Sequence, residues 1–403
     1  MKTPSLKGHP VLQTPGLKQV FAAIEAAGGQ ARIVGGAVRN ALLGEPVHEV
    51  DIATTLEPES TMRAAQAVGL KAHPTGIDHG TVTIVSENNA FEVTTLRHDV
   101  ETHGRHATVA FTDDWQADAA RRDFTMNALY ASLDGDIFDP LGGIADALQR
   151  NVRFAGDAET RIWEDFLRIL RFFRFHAQYG DGDIDSAGLA ACAGLKDGLK
   201  QLSRERVGQE MKKLLLAKGA ARAAGLMNDA GVSQVLFARE LDDSLLARLA
   251  AIDAANGLAP DYTLRLAAGL ALSADELGES LRLSNAEVRA IAALREAMPP
   301  SPALRDNERK VVLYQTGAET FIRAARLAWA ESDAPAEDAG WQGLLKLAAE
   351  WPVPNLPVTG ADLIAAGLEP GPELGATLRR LEDWWVATGF TATRQELLAK
   401  VSA

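Results

Sequence analysis

Ala31-Arg32-Ile33-Val34-Gly35-Gly36-Ala37-Val38-Arg39-Asn40-Ala41-Leu42-Leu43-Gly44 passes from a short β-rich run, through two glycines, into a helical pattern. The spacing predicts a strand over 31–34 and a helix over 37–43 stopped by Gly44. Paired glycines at such a junction let backbone N–H groups approach a phosphate closely, and a helix start adds partial positive charge. Arg39, in the first helical turn, is placed to clamp a phosphate oxygen.

The flanking sequence continues the mixture. Residues 16–27 carry a helical stripe of Leu17, Val20, Phe21 and Ile24. Residues 50–54 read as a strand, and 81–85 with 91–96 as a hairpin around Asn88-Asn89. The polar, glycine-containing stretch 97–108 reads as a mobile loop. Helix and strand in this order, with mostly antiparallel pairing, predict an α+β fold. From about residue 157 onward no strand is expected. Helices are predicted over 161–179, 203–217, 220–230, 244–255, 284–296, 319–330 and 372–388, broken by Gly and Pro.

Three further stretches carry chemistry. Glu49 and Asp51 lie two apart on an expected strand and so share a face. Paired carboxylates there suit two divalent cations ~3.5–4 Å apart, the arrangement for in-line phosphoryl displacement. Mg²⁺ matches oxygen ligands and substrate phosphates. Glu92, on a neighbouring expected strand, is a candidate third carboxylate able to deprotonate an attacking hydroxyl. Arg122, Asp123 and Asn127 offer a cation, an acceptor and an amide near one turn, fit to grip a triphosphate and a ribose 2′ hydroxyl.

Glu164-Asp165-x-x-Arg168 lies on an expected helix, with Asp165 and Arg168 on one face. An ionised Asp only accepts hydrogen bonds and Arg only donates. Together they match the amine and ring nitrogen of cytosine or adenine, and leave uracil and guanine mispaired. Taken singly, each stretch also fits an ordinary role: a tight turn, edge-strand acids, a capping Asp, a surface ion pair.

Bulk properties narrow the class. A chain of 403 residues predicts two to four domains, and 47% apolar content excludes a disordered protein. The single cysteine, Cys192, excludes a disulfide framework, and no Cys/His spacing suggests zinc. No signal peptide is expected in Met1–Pro10 and no stretch is long enough to cross a bilayer, so the expectation is a soluble, cytoplasmic protein without a membrane partner. Net charge is −13, yet residues 151–225 carry 13 Lys+Arg against 10 Asp+Glu, a basic segment that suits a locally held RNA end.

The order of these stretches resembles the class II tRNA nucleotidyltransferases, the CCA-adding enzymes, and the related bacterial poly(A) polymerases. The resemblance covers about 30–215. It includes Gly35-Gly36-x-Val38-Arg39, Glu49-x-Asp51, Arg121 to Asn127, Asp139-Pro140-Leu141-Gly142-Gly143, Glu164-Asp165-x-x-Arg168 and Ser203-Arg204-Glu205-Arg206-Val207. Thr359-Gly360-Ala361-Asp362-Leu363 and Gly371-Pro372 resemble the bacterial family's tail.

It implies a polymerase-β-like head over 1–150, a helical neck with the base template over 151–225, and a helical, tRNA-binding body and tail over 226–403. Gly142-Gly143 would be the hinge between head and neck. Substrates would be tRNA, CTP and ATP, the cofactor Mg²⁺, with no protein partner inferred. Metal would bind Glu49 and Asp51. Nucleotide would meet Gly35, Gly36, Arg39, Arg122, Asp123, Asn127, Glu164, Asp165 and Arg168.

Poly(A) polymerase is the near alternative. Against it, Thr75-Gly76-Ile77-Asp78-His79-Gly80 stands where those enzymes carry a Gly-Arg-Arg-Phe-type signature, and the C-terminal region is acidic. The expected loop 97–108, with Gly104-Arg105, implies full C, C, A addition. Two positions depart from the family pattern, Glu49 for Asp and Asn40 for Asp. The extra methylene of Glu49 displaces its carboxylate by ~1.5 Å, against a tolerance of ~0.5 Å for catalytic groups. A catalytically weak tRNA-binding relative is therefore the second alternative.

Overall fold

The computed structural model describes residues 4–103 and 106–401. The chain divides after Leu241 into two compact units.

In the first unit, α1 (Leu17–Ala26) leads into β1 (Ala31–Val34), then α2 (Gly36–Leu43), β2 (Asp51–Thr54), α3 (Pro58–Ala67) and β3 (Lys71–Gly76). The strands β4 (Thr81–Ser86) and β5 (Asn89–Thr95) form the expected hairpin. Glu87 and Asn88 both take positive φ (49° and 65°) at its turn, a conformation that matches the twist of the flanking strands. Short strands β8 (Tyr130–Ala131) and β9 (Ile137–Phe138) complete a seven-stranded sheet ordered β3-β4-β5-β2-β1-β8-β9. Among the described residues only β2 and β5 pair in parallel.

The stretch 97–108 is not a loop. It forms most of a separate antiparallel pair, β6 (Arg97–His103) with β7 (His106–Phe111), while Gly104-Arg105 lie outside the described residues. Its sequence lacks the apolar alternation that marks a half-buried strand, so pattern reading passes over it.

Helices α4 (Trp115–Ala120) and α5 (Gly143–Leu148) flank the β8–β9 pair in sequence. Asp139 starts α5 by accepting the Gly143 and Ile144 N–H groups at 2.8 and 2.9 Å. Gly143 lies so close to the Thr125 carbonyl that a Cβ there would stand 2.1 Å from its oxygen. The rest of the unit is helical: α6 (Ala158–Glu164), α7 (Leu167–Tyr179), α8 (Ser186–Leu195), α9 (Arg204–Leu216), α10 (Ala220–Asp229) and α11 (Val232–Phe237).

The single helix expected over 161–179 is two. Asp165 takes an extended conformation (φ −155°, ψ 106°) and turns its Oδ1 onto the Leu167 N–H at 3.1 Å. A short acidic side chain competes for backbone N–H groups in this way and restarts the helix. Downstream, α7 buries Leu167, Ile169, Leu170, Phe172, Phe173 and Phe175, and packs on α9 and α10.

The second unit is all helical among its described residues. Trp329 and Trp341 stack at 6.0 Å in its larger core, and Leu363, Leu381, Trp385 and Leu397 form a second cluster. The helix Asp306–Glu331 runs past the expected 319–330 and is kinked at Gly317, whose φ is 75°. No helix among the described residues is long and apolar enough to cross a membrane.

Candidate active site

Gly35 joins β1 to α2 with φ 70° and ψ −123°, a conformation open to glycine. Its N–H donates to the Leu129 carbonyl at 2.9 Å and its own carbonyl accepts the Arg39 N–H at 3.0 Å. The Arg122 guanidinium stands beside this turn, its Nη1 3.7 Å from where a Gly35 Cβ would be. The remaining Arg122 donors go to Asp118 Oδ2 (2.9 and 3.2 Å) and the Tyr130 hydroxyl (3.2 Å). Arg122 is thus held by its far side with one edge toward the glycine turn.

Asp51 opens β2, and its register with β5 sets Ile52 opposite Val93. Asp51 and Glu92 each precede that pair by one residue, so the parallel register puts them at the same step and on the same face. Burial raises the Asp51 carboxyl, Glu92 and Glu49 raise it further, and Arg122 only partly offsets them, leaving it pushed up to about 6. Glu49 is not on the strand. The strand starts at Asp51, and Glu49 is an exposed residue of the preceding segment. The same-face argument from i, i+2 spacing therefore fails for it.

That segment is positioned by side-chain contacts beyond the Glu45 N–H bond to the Asn40 carbonyl. Asn40 Nδ2 donates to the Pro46 carbonyl at 2.8 Å. Arg150 Nη2 meets Glu45 Oε1 at 3.2 Å.

The donors suit a hard divalent cation. They are acceptor-only oxygens, and the crowding raises the proton affinity of Asp51, which a cation reverses. Among the described residues no three His, Cys, Asp or Glu groups converge into a closed cage. An ion here would rest on one or two carboxylates and complete its shell with substrate oxygens, the usual habit of Mg²⁺.

The residues expected to hold sugar and phosphate bond mainly to one another. Asp123 Oδ2 accepts from Arg171 Nε at 2.8 Å and also from Arg171 Nη2. Its Oδ1 accepts from Asn127 Nδ2 at 2.9 Å and the Phe124 N–H at 2.8 Å. Burial alone would raise this carboxyl, but Arg171, Asn127 and Phe124 outweigh it and hold it at about 2. Asn127 Oδ1 accepts from Arg39 Nη1, and Arg39 Nη2 donates to the Tyr179 hydroxyl at 2.7 Å. Arg39 also grips Asn40 Oδ1 through Nε and Nη2 (3.1 and 2.8 Å) and is buried. A closed chain therefore runs from Arg171 of α7 through Asp123, Asn127 and Arg39 back to Tyr179 of α7.

The residues expected to read the base do not share one helix face. Arg168 Nη1 bonds Glu164 Oε2 and the Arg161 carbonyl (2.9 Å), and Nη2 reaches the Arg121 carbonyl (3.2 Å). Asp165 Oδ2 instead accepts from Arg206 Nη2 at 2.6 Å. The helix break at Asp165 is the reason. Asp165 and Trp163, Phe166, Ser203 and Arg206 line a cavity of about 350 Å³, with Trp163 63% exposed at its edge.

Sequence reading missed Asp118, Arg171, Tyr179 and Arg206. Asp118 is buried and accepts from Arg121, Arg122 and Tyr130. Burial would raise its carboxyl, but the two arginines and Tyr130 hold it at about 2. Its signal was the i, i+3 and i, i+4 spacing to Arg121 and Arg122. Arg206 lies in the quoted stretch Ser203 to Val207, to which no role was given, and Arg171 and Tyr179 carried no local signal.

A mixed, mostly antiparallel sheet with a glycine turn, a carboxylate pair and an all-helical remainder defines a nucleotidyltransferase head followed in sequence by helices. Residues 31–153 match the family model of the poly A polymerase head domain, whose members generally use divalent metals. Residues 183–245 match the probable RNA and SrmB-binding site of polymerase A, and 264–401 a putative domain 2 of tRNA nucleotidyltransferases.

Over 401 residues the chain is 35% identical to the mitochondrial CCA tRNA nucleotidyltransferase 1 of Mus musculus, covering 97% of this chain and 90% of that one. It is 33% identical over 394 residues to the CCA-adding enzyme of Lacticaseibacillus paracasei, covering 93% and 92%. The crystal structure of the Bacillus stearothermophilus CCA-adding enzyme in complex with CTP superposes with a TM-score of 0.81 at 30% identity, covering 98% and 97%. The chain belongs to the class II CCA-adding tRNA nucleotidyltransferases.

Proposed function

We propose that this enzyme adds C, C and A to the 3′ end of tRNA from CTP and ATP, and that the chemistry is centred on Asp51. The observation that carries the reading is the Asp51 carboxyl, pushed up to about 6 between Glu92 and Glu49, with Arg122 and the Gly35 turn alongside. The full-length kinship with CCA-adding enzymes supports CCA addition over poly(A) synthesis.

In this reading Glu49 and Asp51 would hold Mg²⁺, which when bound would supply positive charge against the developing phosphate charge and favour loss of the attacking hydroxyl's proton. Glu92 receives the 3′-hydroxyl proton. The Gly35 turn, its own N–H tied to the Leu129 carbonyl, brings the Gly36 N–H to the triphosphate, and Arg122 supplies a cation fixed by Asp118. Arg39, Asp123 and Asn127 frame the ribose side and hold α7 in register with the glycine turn.

Asp165 and Arg168 select the base. A carboxylate has about four acceptor positions, and the structure uses Asp165 Oδ1 once and Oδ2 once. Capacity remains for a base amine, while Glu164 orients Arg168 toward the ring nitrogen. The head (1–150), neck (151–225) and body with tail (226–403) divide the work between chemistry, base choice and reading of tRNA shape.

The test incubates the protein with tRNA ending at the discriminator base, CTP, ATP and MgCl₂, then sequences the 3′ ends. Addition of CCA and nothing longer, abolished by EDTA, is expected. Long A tracts on arbitrary RNA would refute it. No addition by the protein as it stands, restored by Glu49→Asp, would place the defect in the carboxylate pair.

A further inference from the structure

We propose that Arg161 is a positioning residue for base choice. It sets the guanidinium of Arg168 by occupying one oxygen of Glu164 and by fixing α6 to the C-terminal end of α4. This rests on the reading of Arg168 as the group that meets the ring nitrogen of the base.

The arrangement follows from the break at Asp165. Arg161 and Glu164 are three residues apart, Glu164 and Arg168 four, the separations that bring side chains together on one helix. Asp165 interrupts the helix between the last two, yet all three stay joined. Glu164 Oε1 accepts from Arg161 Nη2, and Oε2 from Arg168 Nη1. The Arg161 carbonyl, which in an unbroken helix would take the N–H of residue 165, takes Arg168 Nη1 at 2.9 Å. The three side chains are at most 16% exposed, so these bonds count for more than surface pairs do.

Both arginines also reach α4. Arg161 Nη1 donates to the Ala120 carbonyl at 3.0 Å, and Arg168 Nη2 to the Arg121 carbonyl at 3.2 Å. Carbonyls at the end of a helix lack intrahelical partners and carry partial negative charge, which suits two guanidinium groups. The next residue is Arg122, the cation beside Gly35. The base reader and the triphosphate cation are thus held against one turn.

Donor counting gives Arg161 its role. Arg168 has five N–H donors, and among the described residues three go to Glu164 and the carbonyls of Arg161 and Arg121. Two remain for a base. With its other oxygen unheld, Glu164 would grip the same guanidinium in a two-pronged pair and take one more donor. Arg161 prevents this by holding that oxygen.

The test measures binding of CTP, ATP and UTP by equilibrium dialysis with MgCl₂ and without RNA, so it is read whether or not the protein catalyses addition. Arg161→Ala should narrow the preference for CTP over UTP, and for ATP over UTP, by about 10-fold, the worth of one charge-assisted hydrogen bond. Arg161→Lys still meets Glu164 and should restore both preferences. If circular dichroism shows that Arg161→Ala does not fold, Arg161→Met, which keeps the aliphatic stem, is read in its place. An unchanged preference overturns the proposal. So does an equal loss of CTP and UTP binding, or a lysine variant no better than the alanine one. Arg168→Ala is the control for the underlying reading. If it relaxes the preference and Arg161→Ala does not, the role of Arg161 alone falls. If Arg168→Ala leaves the preference intact, Arg168 does not read the base, and the role of Arg161 falls with it.

Discussion

Replacing Asp123 by Asn should loosen α7 from the glycine turn, and the structure allows the size to be worked out. Asp123 accepts four hydrogen bonds, two of them from Arg171. Its carboxyl is held at about 2 against an ordinary 3.8. At ~1.4 kcal/mol per tenfold change in proton affinity, the ionised form contributes roughly 2–3 kcal/mol at neutral pH.

An amide in its place keeps the shape but turns N–H toward Arg171 or Asn127, so one donor must face another. Because the folded value is depressed, this stability is complete above the unfolded value and is lost as pH falls through about 4 toward about 2. For a unit of this size the loss corresponds to roughly 5–10 °C in melting temperature.

The assay is thermal unfolding followed by circular dichroism, for parent and variant, at pH 7, 5 and 3. A full gap at the upper two values and a smaller one at the lowest is expected. Equal melting temperatures at pH 7 would refute the account of Asp123 as an ionised anchor. A gap that persists undiminished at the lowest pH would refute the linkage.

Other consequences are as direct. Gly35→Ala places a Cβ at φ 70°, and although nothing lies closer than 3.6 Å to it, the backbone strain is ~1–3 kcal/mol; the KM for both CTP and ATP should rise several-fold, and an unchanged KM would remove the turn from phosphate binding. Asp165→Ala should admit UTP in place of CTP, lowering discrimination by at least ~10-fold, as measured by competing the two nucleotides; retained preference would show that Asp165 does not read the base. Asn40→Asp removes the donor to the Pro46 carbonyl, leaving two acceptors facing at a cost of ~1–3 kcal/mol. It should weaken Mn²⁺ binding followed by electron paramagnetic resonance, and an unaltered metal titration would separate Asn40 from the placement of Glu49.

Local pattern revealed much of this molecule. The strand–glycine–helix passage at 31–43, the hairpin at Asn88 and the all-helical second half each follow from side-chain periodicity and turn chemistry, which neighbouring residues settle among themselves. The β6–β7 pair escaped because its polar sequence carries no alternation. The break at Asp165 escaped because the surrounding apolar pattern continues straight through it, while one carboxylate caps the next helix.

The chemistry-bearing residue types were also legible: acids at 49, 51 and 92, arginines at 39, 122 and 168. Their partners were not. Asp165 meets Arg206, Asp123 meets Arg171, and Arg39 meets both Asn127 and Tyr179, across separations of 41, 48, 88 and 140 residues. A hydrogen bond has short range and strict direction, so such pairings exist only once α7 has packed against the glycine turn and against α9. The sequence by itself determined which groups are available and the elements that carry them. Tertiary packing alone decided which carboxylates are neutralised by arginine and which, as at Asp51, are left crowded beside other acids.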